Sequence, residues 1–407
     1  MFVYKPDDAK VPIKTWMSKH DYFSAPKMVE QCENLSKLPF VFKHIALAPD
    51  GHMDYGMPIG GVMATKHVVV PNAVGKDIGC GMCAVKTPLT EINEAFLHYI
   101  IDGIRRNIPV GYKHHKEPQG AENIPEIKGS LPIVEREYES ALCQVGTLGG
   151  GNHFIELQKG SDGHIWIMLH SGSRNLGTKV ADHYDKVAKN INKYWYSVVP
   201  VKHDLAFLPI DSDEGKLYMK EMQYCVDFAL ANRQLMMTRV IDIFKSYPTK
   251  VLPSEWVNAE KDMINIAHNY AAMENHFGEN VMVHRKGATK ATEGLMGIIP
   301  GSQGSSSYIV KGKGNRDSFK SCSHGAGRAM GRKDATRKLN LEEEQKRLDD
   351  MGVIHSLKTK EDLDESIGAY KDIDVVMANQ SDLVDIEVSL RPLGAVKEKK
   401  EKRKKRW

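Results

Sequence analysis

The sequence lacks any apolar run that approaches the ~20 residues needed to span a membrane as a helix. Its first eight residues include acids and a proline where a secretion signal would be apolar. We therefore expect a cytoplasmic protein with no membrane partner. Cysteine is also scarce, with six thiols scattered over 407 residues. Because no export signal accompanies them, we expect reduced thiols and no disulfide framework, with metal ligation open to a thiol.

A basic body is also missing, although the net charge of the chain is +4. Residues 397–407 contain eight lysines and arginines against two glutamates, so the remaining 396 residues sum to −2. Any polyanion-binding surface on the body must therefore be a local patch. We expect residues 398–407 to form a disordered tail, because dense like charge repels itself. Such a tail is either solvated without a partner or adds nonspecific affinity for phosphates.

Internal repeats, a clear linker and a regular alternation of strands and helices are absent too. The pattern therefore predicts an α+β fold with one large domain over residues 1–397. Short strands are expected over residues 42–48, 67–70, 83–86, 153–158 and 164–169 and within 281–310, and helices over 91–107, 213–244 and 333–352. Asp213 is the expected N-cap of the long helix. The first 40 residues carry mixed signals and are interpreted as an N-terminal elaboration.

The densest site signal is Gly-Lys-Asp-Ile-Gly-Cys-Gly over residues 75–81. Glycines let the chain bend tightly, so that one turn can aim Asp77 and Cys80 at the same ion. Cys80 and Cys83 also match C-x-x-C, but a structural zinc site would want a second such pair or closely spaced histidines, and neither is present. A buried cysteine in a glycine turn is the alternative.

Further polar residues occupy glycine-bordered turns or strand ends. Gly-Gly-Gly-Asn-His over residues 149–153 could approach a phosphate and present His153. His170 ends an apolar strand shortly before Arg174, which suits a phosphate oxygen. His268 lies in an apolar context and needs a partner. His324, in a Ser-His-Gly-Ala-Gly-Arg turn, is a candidate nucleophile. Each could singly be a core or loop residue.

Two more turns contain polar residues, and all of these residues together suggest one kind of chemistry. Pro-Asp-Gly-His over residues 49–52 places an acid and a histidine in one turn, and residues 299–307 are rich in glycine and serine. Asp, Cys and His together suit a transition metal such as manganese or zinc, and paired ions suit phosphoryl chemistry. The residues alone thus indicate a two-metal phosphoryl-transfer enzyme.

Taken together and in order, these segments resemble the RtcB family of RNA-splicing ligases. The resemblance runs from about residue 40 to residue 397 and includes the turns around Asp50, Asp77, His153, His170 and His268. It continues through Pro-Gly-Ser at 300–302, the His324 turn, and Ala-Tyr-Lys-Asp-Ile-Asp at 369–374 to Lys397. The family has its own α+β fold, with mixed sheets and surrounding helices around a central metal and nucleotide cleft, which agrees with the irregular element order.

The resemblance implies a role for each matched residue. The metal ligands would be Asp77, Cys80, His153, His170 and His268, with Cys80 bridging two manganese ions. The nucleophile that takes up GMP would be His324, with Asp50 and Arg174 auxiliary. The guanylate pocket would use Asn152, Phe154, Glu156, Pro300, Gly301, Ser302, Gln303, Ser307, His324, Gly325, Ala326, Gly327, Tyr370 and Lys397.

The implied activity is GTP-dependent joining of an RNA 3′-phosphate or 2′,3′-cyclic phosphate to a 5′-hydroxyl end through a histidine–GMP intermediate. The implied partners are RNA in splicing or repair, with an activating protein left open and a monomer expected. The basic stretch after Lys397 and the third glycine before Asn152 depart from the expected pattern. Neither change removes a proposed ligand.

Two other functions use parts of the same pattern. A two-metal phosphoesterase would need the metal ligands but neither His324 nor Lys397, and it would hydrolyse without nucleotide. A sensor of RNA ends or nucleotides would bind without turnover, although the full set of metal ligands argues against this.

Overall fold

The computed structural model describes residues 1–249 and 251–398, which form a mixture of helices and mainly antiparallel sheet. In chain order the strands are β1 (Phe2–Tyr4), β2 (Ile13–Thr15), β3 (Val41–His52), β4 (Ile59–Thr65), β5 (Val68–Val69), β6 (Gly81–Lys86), β7 (Phe154–Gly160), β8 (Ile165–Ser171), β9 (Leu208–Pro209), β10 (Ile264–Ala267), β11 (Asn269–His276), β12 (Glu279–Lys286), β13 (Ala288–Lys290), β14 (Met296–Ile299), β15 (Ser307–Gly312), β16 (Ser321–Ser323) and β17 (Val384–Val396).

The helices surround these strands. They are α1 (Lys19–Phe23), α2 (Pro26–Ser36), α3 (Glu94–Asn107), α4 (Pro132–Gln144), α5 (Arg174–Tyr194), α6 (Asp213–Lys245), α7 (Pro253–Lys261), α8 (Arg332–Lys338), α9 (Leu341–Asp350) and α10 (Ile373–Ala378). No helix in the described ranges is long and apolar enough to cross a membrane.

Two large sheets position the site. One has the strand order β1-β2-β3-β4-β12-β11, and the other has the order β10-β6-β8-β7-β17-β15-β14. Each takes strands from both halves of the chain, and among the strands of the described residues only β2 and β3 pair in parallel. The α+β fold class expected from the irregular element order is confirmed.

The long helix α6 supports the second sheet. Met236, Val240 and Phe244 recur every four residues, are fully buried and pack in one cluster with strand residues such as Ile167 and Leu169. Burial of each large apolar side chain contributes about 1.5–3 kcal/mol. The apolar face of α6 thus anchors β8, the strand that ends in a candidate ligand.

The N-cap predicted for α6 is wrong by one residue. The hydroxyl of Ser212 accepts a hydrogen bond from the Gly215 amide at 3.0 Å, which makes Ser212 the cap and Asp213 the first helical residue. Serine is as good a cap as aspartate, and an acid in the first turn is favoured by the helix dipole. The pattern alone did not separate the two positions.

Other element bounds differ from the sequence-based expectation. Helix α3 begins at Glu94 because Asn93 caps it, accepting from the Phe96 amide at 2.8 Å. The helical stretch expected over residues 333–352 is two helices, since Asn340 caps α9 separately. The expected strand 67–70 is reduced to β5.

The N-terminal segment extends the first sheet. Strand β2 lies beside β3 with Ile13 opposite Ile45, so residues near the N-terminus are built into the sheet. Of the tail expected over residues 398–407, only Glu398 is within the described residues, and the prediction of disorder for 399–407 lies outside them.

Candidate active site

The candidate metal ligands meet because they sit at the ends of neighbouring strands. Cys80 immediately precedes β6, His153 precedes β7, and His170 lies near the end of β8, directly opposite Phe154. His268 links β10 to β11, and its amide donates to the Cys80 carbonyl at 2.8 Å. Strands β10, β6, β8 and β7 are adjacent in the sheet, so residues distant in sequence converge at one edge.

Close approach of the backbone explains one of the glycines in the turn before β6. A Cβ atom built on Gly81 would lie 1.9 Å from the Ile266 carbonyl oxygen. Only glycine lets β10 come close enough to place His268 beside Cys80. The glycine pattern of residues 75–81 therefore has a packing function next to the ligands.

The donor atoms of the cluster face one another. The Cys80 Sγ lies 3.2 Å from His170 Nε2 and 3.4 Å from His153 Nε2, and the three donor atoms lie within 4.8 Å of one another. His268 Nε2 is 3.3 Å from His170 Nε2, and Asp77 Oδ2 is 3.1 Å from His153 Nε2. All five residues expected to hold metal are thus brought together.

Hydrogen bonds at the far side of two rings fix their protons. His153 Nδ1 lies 3.0 Å from the Leu148 carbonyl, and His170 Nδ1 lies 3.2 Å from the Asn152 carbonyl. Because a carbonyl only accepts, each Nδ1 must carry the proton, and each Nε2 presents a lone pair to the cluster. Converging lone pairs repel unless a cation lies among them, so this donor set fits a metal ion.

The electrostatics of the cluster also fit a cation. Burial, followed by neighbouring positive groups, holds the pKa values of His170 and His268 well below the usual range, so both rings are neutral. Burial and the Asp77 carboxylate raise the pKa of the Cys80 thiol well above its usual value. A metal ion would reverse that shift by stabilising the thiolate. His268 Nδ1 is buried without a hydrogen-bond partner among the described residues.

His324 lies against the cluster and is held by Asp50. His324 Nδ1 is 2.6 Å from Asp50 Oδ2, and the same oxygen accepts from the His324 amide at 3.1 Å. The His324 ring packs edge-on against His268 with 4.8 Å between centroids. Asp50 is fully buried; its burial opposes ionisation, but its hydrogen bond to His324 and the nearby Lys371 ammonium lower its pKa. The ionised carboxylate therefore keeps the proton on Nδ1 and leaves Nε2 free to attack.

The Asp50 turn is itself fixed by its neighbours. Gly327 has φ +72°, and a Cβ there would lie 2.2 Å from the Asp50 carbonyl oxygen, so glycine is required. The Lys371 ammonium donates to the carbonyls of Pro49 and Gly51 at 3.1 and 2.6 Å. The turn that contains Gly327 and the Lys371 side chain thus both pack against residues 49–51, where β3 departs from regular pairing with β4.

A cavity of about 860 Å³ opens beside His324. Its walls include most of the residues expected to bind guanylate, namely Asn152, Phe154, Glu156, Pro300, Gly301, Ser302, Gln303, Gly325, Ala326, Gly327, Tyr370 and Lys397. Ser307 lies behind the wall, where its hydroxyl accepts from the Gly301 amide at 3.1 Å. The expected set is therefore assembled around one space, with Ser307 supporting a loop.

Two buried ionisable residues, Glu156 and Lys397, line this cavity. Glu156 is 3% exposed, and its burial raises the pKa to about 8, although Gln158 and Lys397 oppose the shift. The Lys397 ammonium lies 5.5 Å above the Phe154 ring centroid. Strand β17 brings them together, since Ala395 pairs with Glu156 in the sheet.

Arg174 begins α5 with φ +58° and lies close to the metal cluster. Its Nη1 is 3.3 Å from His153 Nδ1, and its Nε is buried without a hydrogen-bond partner among the described residues. The Nδ1–H group of His153 already donates to the Leu148 carbonyl. Nδ1 therefore has no lone pair with which to accept a hydrogen bond from Arg174. The donors of Arg174 remain available to a phosphate.

Sequence reasoning missed two residues in the walls of the cavity. Glu365 contacts Lys397 at 3.1 Å and Arg332 at 2.9 Å, and Arg332 lines the same cavity. Glu365 ends a charged run over residues 360–365 that has the composition of a solvated surface. No local signal distinguishes it, because its partner Lys397, which directly follows β17, is distant in the sequence.

Known proteins resemble this chain over almost its whole length. The family model described as tRNA-splicing ligase RtcB matches residues 31–132 and 128–398. The RNA-splicing ligase RtcB of Escherichia coli (strain K12) is 38% identical over 403 residues, which cover 95% of this chain and 97% of that protein. The tRNA-splicing ligase RtcB of Thermococcus kodakarensis is 30% identical, with 91% of each chain covered. That of Nanoarchaeum equitans is 31% identical, with 97% of this chain and 96% of that protein covered.

Proposed function

Because the chain belongs to the RtcB family of RNA-splicing ligases, we propose that it joins RNA ends in a reaction that consumes GTP. The substrates are an RNA 3′-phosphate, or a 2′,3′-cyclic phosphate that is first hydrolysed to it, and a second RNA with a 5′-hydroxyl. RNA splicing and RNA repair both require such joining.

One observation carries the proposal: a histidine with a free Nε2 stands between a cation-binding cluster and a nucleotide-sized cavity. His324 is oriented by Asp50 at 2.6 Å and packs against His268 of the cluster. A two-metal phosphoesterase that attacks with metal-activated water needs the cluster but neither His324 nor Lys397. This arrangement favours nucleotidyl transfer over simple phosphoester hydrolysis.

His324 carries the nucleotidyl group in the proposed reaction. Its Nε2 attacks the α-phosphorus of GTP, a P–N bond forms, and the P–O bond to pyrophosphate breaks. The GMP then passes to an oxygen of the RNA 3′-phosphate, which restores the imidazole. The 5′-hydroxyl of the second RNA attacks the activated phosphate and expels GMP. Asp50 stabilises the positive charge that develops on the ring during attack.

Two manganese ions complete the proposed site. Asp77, Cys80, His153, His170 and His268 would hold them. When bound, such ions offset charge on the phosphates and orient them for in-line displacement. Mixed thiolate, imidazole and carboxylate ligands suit manganese better than magnesium. Arg174, beside this cluster, would face an RNA phosphate.

The cavity next to His324 would bind the guanylate, and we call it the guanylate cavity. Glu156 would accept hydrogen bonds from the ring N–H and the amino group of guanine, while Lys397 closes the same end. Adenine lacks the ring N–H, so a buried acceptor would stay unpaired, which costs about 1–3 kcal/mol.

We further propose that residues 1–397 form a single domain, as both large sheets draw on both halves of the chain.

The direct test is covalent labelling with α-labelled GTP and manganese. We expect label that survives denaturation and is released by acid, as a phosphoramidate is, and that is lost in His324→Ala. The His183→Ala variant, which removes an exposed histidine of α5, serves as the matched control and should label normally. Absence of label with manganese, cobalt or zinc, together with nucleotide-independent phosphoester hydrolysis, would favour the phosphoesterase instead.

A further inference from the structure

A buried carboxylate, Glu365, holds together the wall of the guanylate cavity. It is 5% exposed. One of its oxygens accepts from the Tyr370 hydroxyl and from the Lys397 ammonium, the latter at 3.1 Å. The other oxygen faces Arg332 at 2.9 Å and Arg328 at 3.3 Å. A single anion thus contacts three cations and a phenol.

The main chain of Glu365 makes a further contact with the cavity. Its carbonyl accepts a hydrogen bond from Gln303 Nε2 at 2.9 Å. Gln303, Tyr370 and Lys397 all line the cavity and come from three separate segments. Glu365 is therefore the point at which these three segments meet.

The carboxylate is ionised at neutral pH. Burial alone would raise its pKa, but Lys397, Arg332 and Arg328 outweigh the desolvation and lower the pKa to about 2. A buried carboxylate is costly unless it is paired and hydrogen-bonded, and here both of its oxygens have partners. The charge of Glu365 is thus matched to the cations that it holds.

We propose that Glu365 is a positioning residue of the guanylate site that acts through Lys397 and Tyr370. This inference rests on the proposed function, because it assigns a purpose to the way in which that site is held. Glu365 keeps the Lys397 ammonium over the Phe154 ring, where an arriving guanine finds it already placed. The residue sets the affinity and the base selectivity of nucleotide binding.

The physical reason is conformational entropy. A free lysine side chain has rotamer entropy to lose, and a ligand that must order it binds more weakly. Glu365 orders Lys397 before the nucleotide arrives. It has no hydrogen bond to His324 or Asp50 in the described structure, so the attack that follows binding is unaffected. The expected signature is a change in KM with little change in the maximal labelling rate.

Glu344 provides a matched control. It is also 5% exposed, and it holds the same stretch of chain by accepting from the Gly368 amide at 3.0 Å. Its cationic partner is Arg347, also at 3.0 Å, and it has no bond to Lys397 or Tyr370. Loss of its charge tests whether any buried carboxylate that supports this segment would have the same effect.

The experiment compares Glu365→Gln with Glu344→Gln in the full chain. GTP and ATP binding is measured by thermal shift, and GTP labelling is measured as a function of GTP concentration. We expect Glu365→Gln to raise the KM for GTP about tenfold or more, to change the saturating rate less than about threefold, and to narrow the preference for GTP over ATP. Glu344→Gln should leave KM and selectivity unchanged.

A double variant tests the route through Lys397. Because Glu365 acts in part through that lysine, the loss of GTP affinity in the double variant Glu365→Gln with Lys397→Gln should be smaller than the sum of the losses in the two single variants. Fully additive losses, an unchanged KM in Glu365→Gln, or an equal loss in Glu344→Gln would each overturn the inference. Should Gln at this position unfold the chain, Glu365→Asp replaces it, and an unchanged KM there counts equally against the inference. Wild-type protein that binds GTP but forms no adduct would instead contradict the ligase chemistry.

Discussion

The contact between Asp50 and His324 determines which ring nitrogen can act. At 2.6 Å the carboxylate accepts a hydrogen bond from the Nδ1–H group, so the proton stays on Nδ1 and Nε2 keeps its lone pair. Asparagine has nearly the same shape, but its amide can present N–H to the ring and stabilise the wrong tautomer. We therefore expect Asp50 to affect the rate of attack by His324 and not the binding of nucleotide in the cavity.

We predict that Asp50→Asn slows GMP–His324 formation about 100-fold or more while GTP still binds. The measurement is the single-turnover labelling rate at saturating GTP, with binding followed separately by thermal shift. An unchanged rate would mean that Asp50 does not orient the nucleophile. If GTP binding were lost as well, the substitution would have disrupted the packing of residue 50 against the turn that contains Gly327.

Glu156 gives nucleotide recognition a pH dependence. Its pKa of about 8 in the empty cavity means that it is largely protonated at pH 7. Guanine presents donors to it and therefore binds the ionised form, so binding releases a proton. Apparent affinity should rise with pH up to about 8, by at most about tenfold per pH unit, and then level off.

Guanosine is the suitable probe because it has no titrating phosphate. Calorimetric titration at pH 6, 7 and 8 should show tightening with pH in the wild type and a flat profile in Glu156→Gln. An equally steep profile in that variant would assign the proton to another group. Because the pKa of Glu156 is raised in the folded protein, the protein loses folding stability as pH rises from the unfolded-state pKa of about 4.3 towards 8.

Among the elements, α6 reaches the metal cluster through one residue. Arg233 is fully buried and donates to the carbonyls of Gly79 and Ser171, both at 2.9 Å, and to Asn265 at 2.7 Å. Gly79 precedes Cys80, and Ser171 follows His170. The helix thus holds two ligand-bearing turns in register with each other.

We predict that Arg233→Met lowers the free energy of unfolding by about 2–5 kcal/mol, because it removes a buried donor from two buried carbonyls and from the partly buried Asn265 side chain. It should also weaken manganese binding about tenfold or more. Arg239→Met is the control, since Arg239 lies on the same helix but bonds to Gly146, His115 and Gln119, away from the ligands. Equal metal affinity in the two variants would contradict this account of α6.

The residues of the candidate site could be found in the sequence more readily than one of the strands that supports it. Asp77, Cys80, His153 and His170 stood out because each lies in a glycine turn or near a strand end, and His268 stood out as a polar residue in an apolar context. The family resemblance implied that they act together, and the structure brings all five together. Strand β17 was not predicted, because its charged residues and Pro392 obscure any alternation. Its pairing with β7 and β15 is a long-range contact that local pattern cannot supply.

The missed Glu365 has the same cause. Its partners lie at positions 328, 332, 370 and 397, so its burial exists only once β17 and the segment after α9 are in place. The N-cap of α6 failed for a different reason, since Ser212 and Asp213 are both good caps and only the three-dimensional bond decides between them. Chemistry-bearing residues were thus easier to find than the residues that support them.

For the molecule as a whole, charge is divided unevenly. Residues 399–407, which follow the described part of the chain, contain seven lysines and arginines against one glutamate. Any contribution that they make to RNA binding is electrostatic and must weaken with salt. The nucleotide binding that we propose at Glu156 and Lys397 should not depend on them.

We predict that a chain ending at Glu398 binds RNA more weakly at low salt and with a shallower dependence on salt concentration, while GTP labelling is unchanged. RNA affinity measured between about 50 and 200 mM salt tests this. Identical salt slopes for the two chains would show that these residues make no phosphate contacts. Loss of labelling would place them in the active site instead.

The central claim, that the protein seals RNA 3′-phosphate to 5′-hydroxyl ends with GTP, is tested most directly by a joining assay. Two RNA strands with those ends are incubated with manganese and either GTP or ATP, and a second pair carries 3′-hydroxyl and 5′-phosphate ends. The account predicts joined RNA for the first pair with GTP alone, and none with His324→Ala. Removal of the 3′-phosphate without joining, or joining of the second pair, would contradict it.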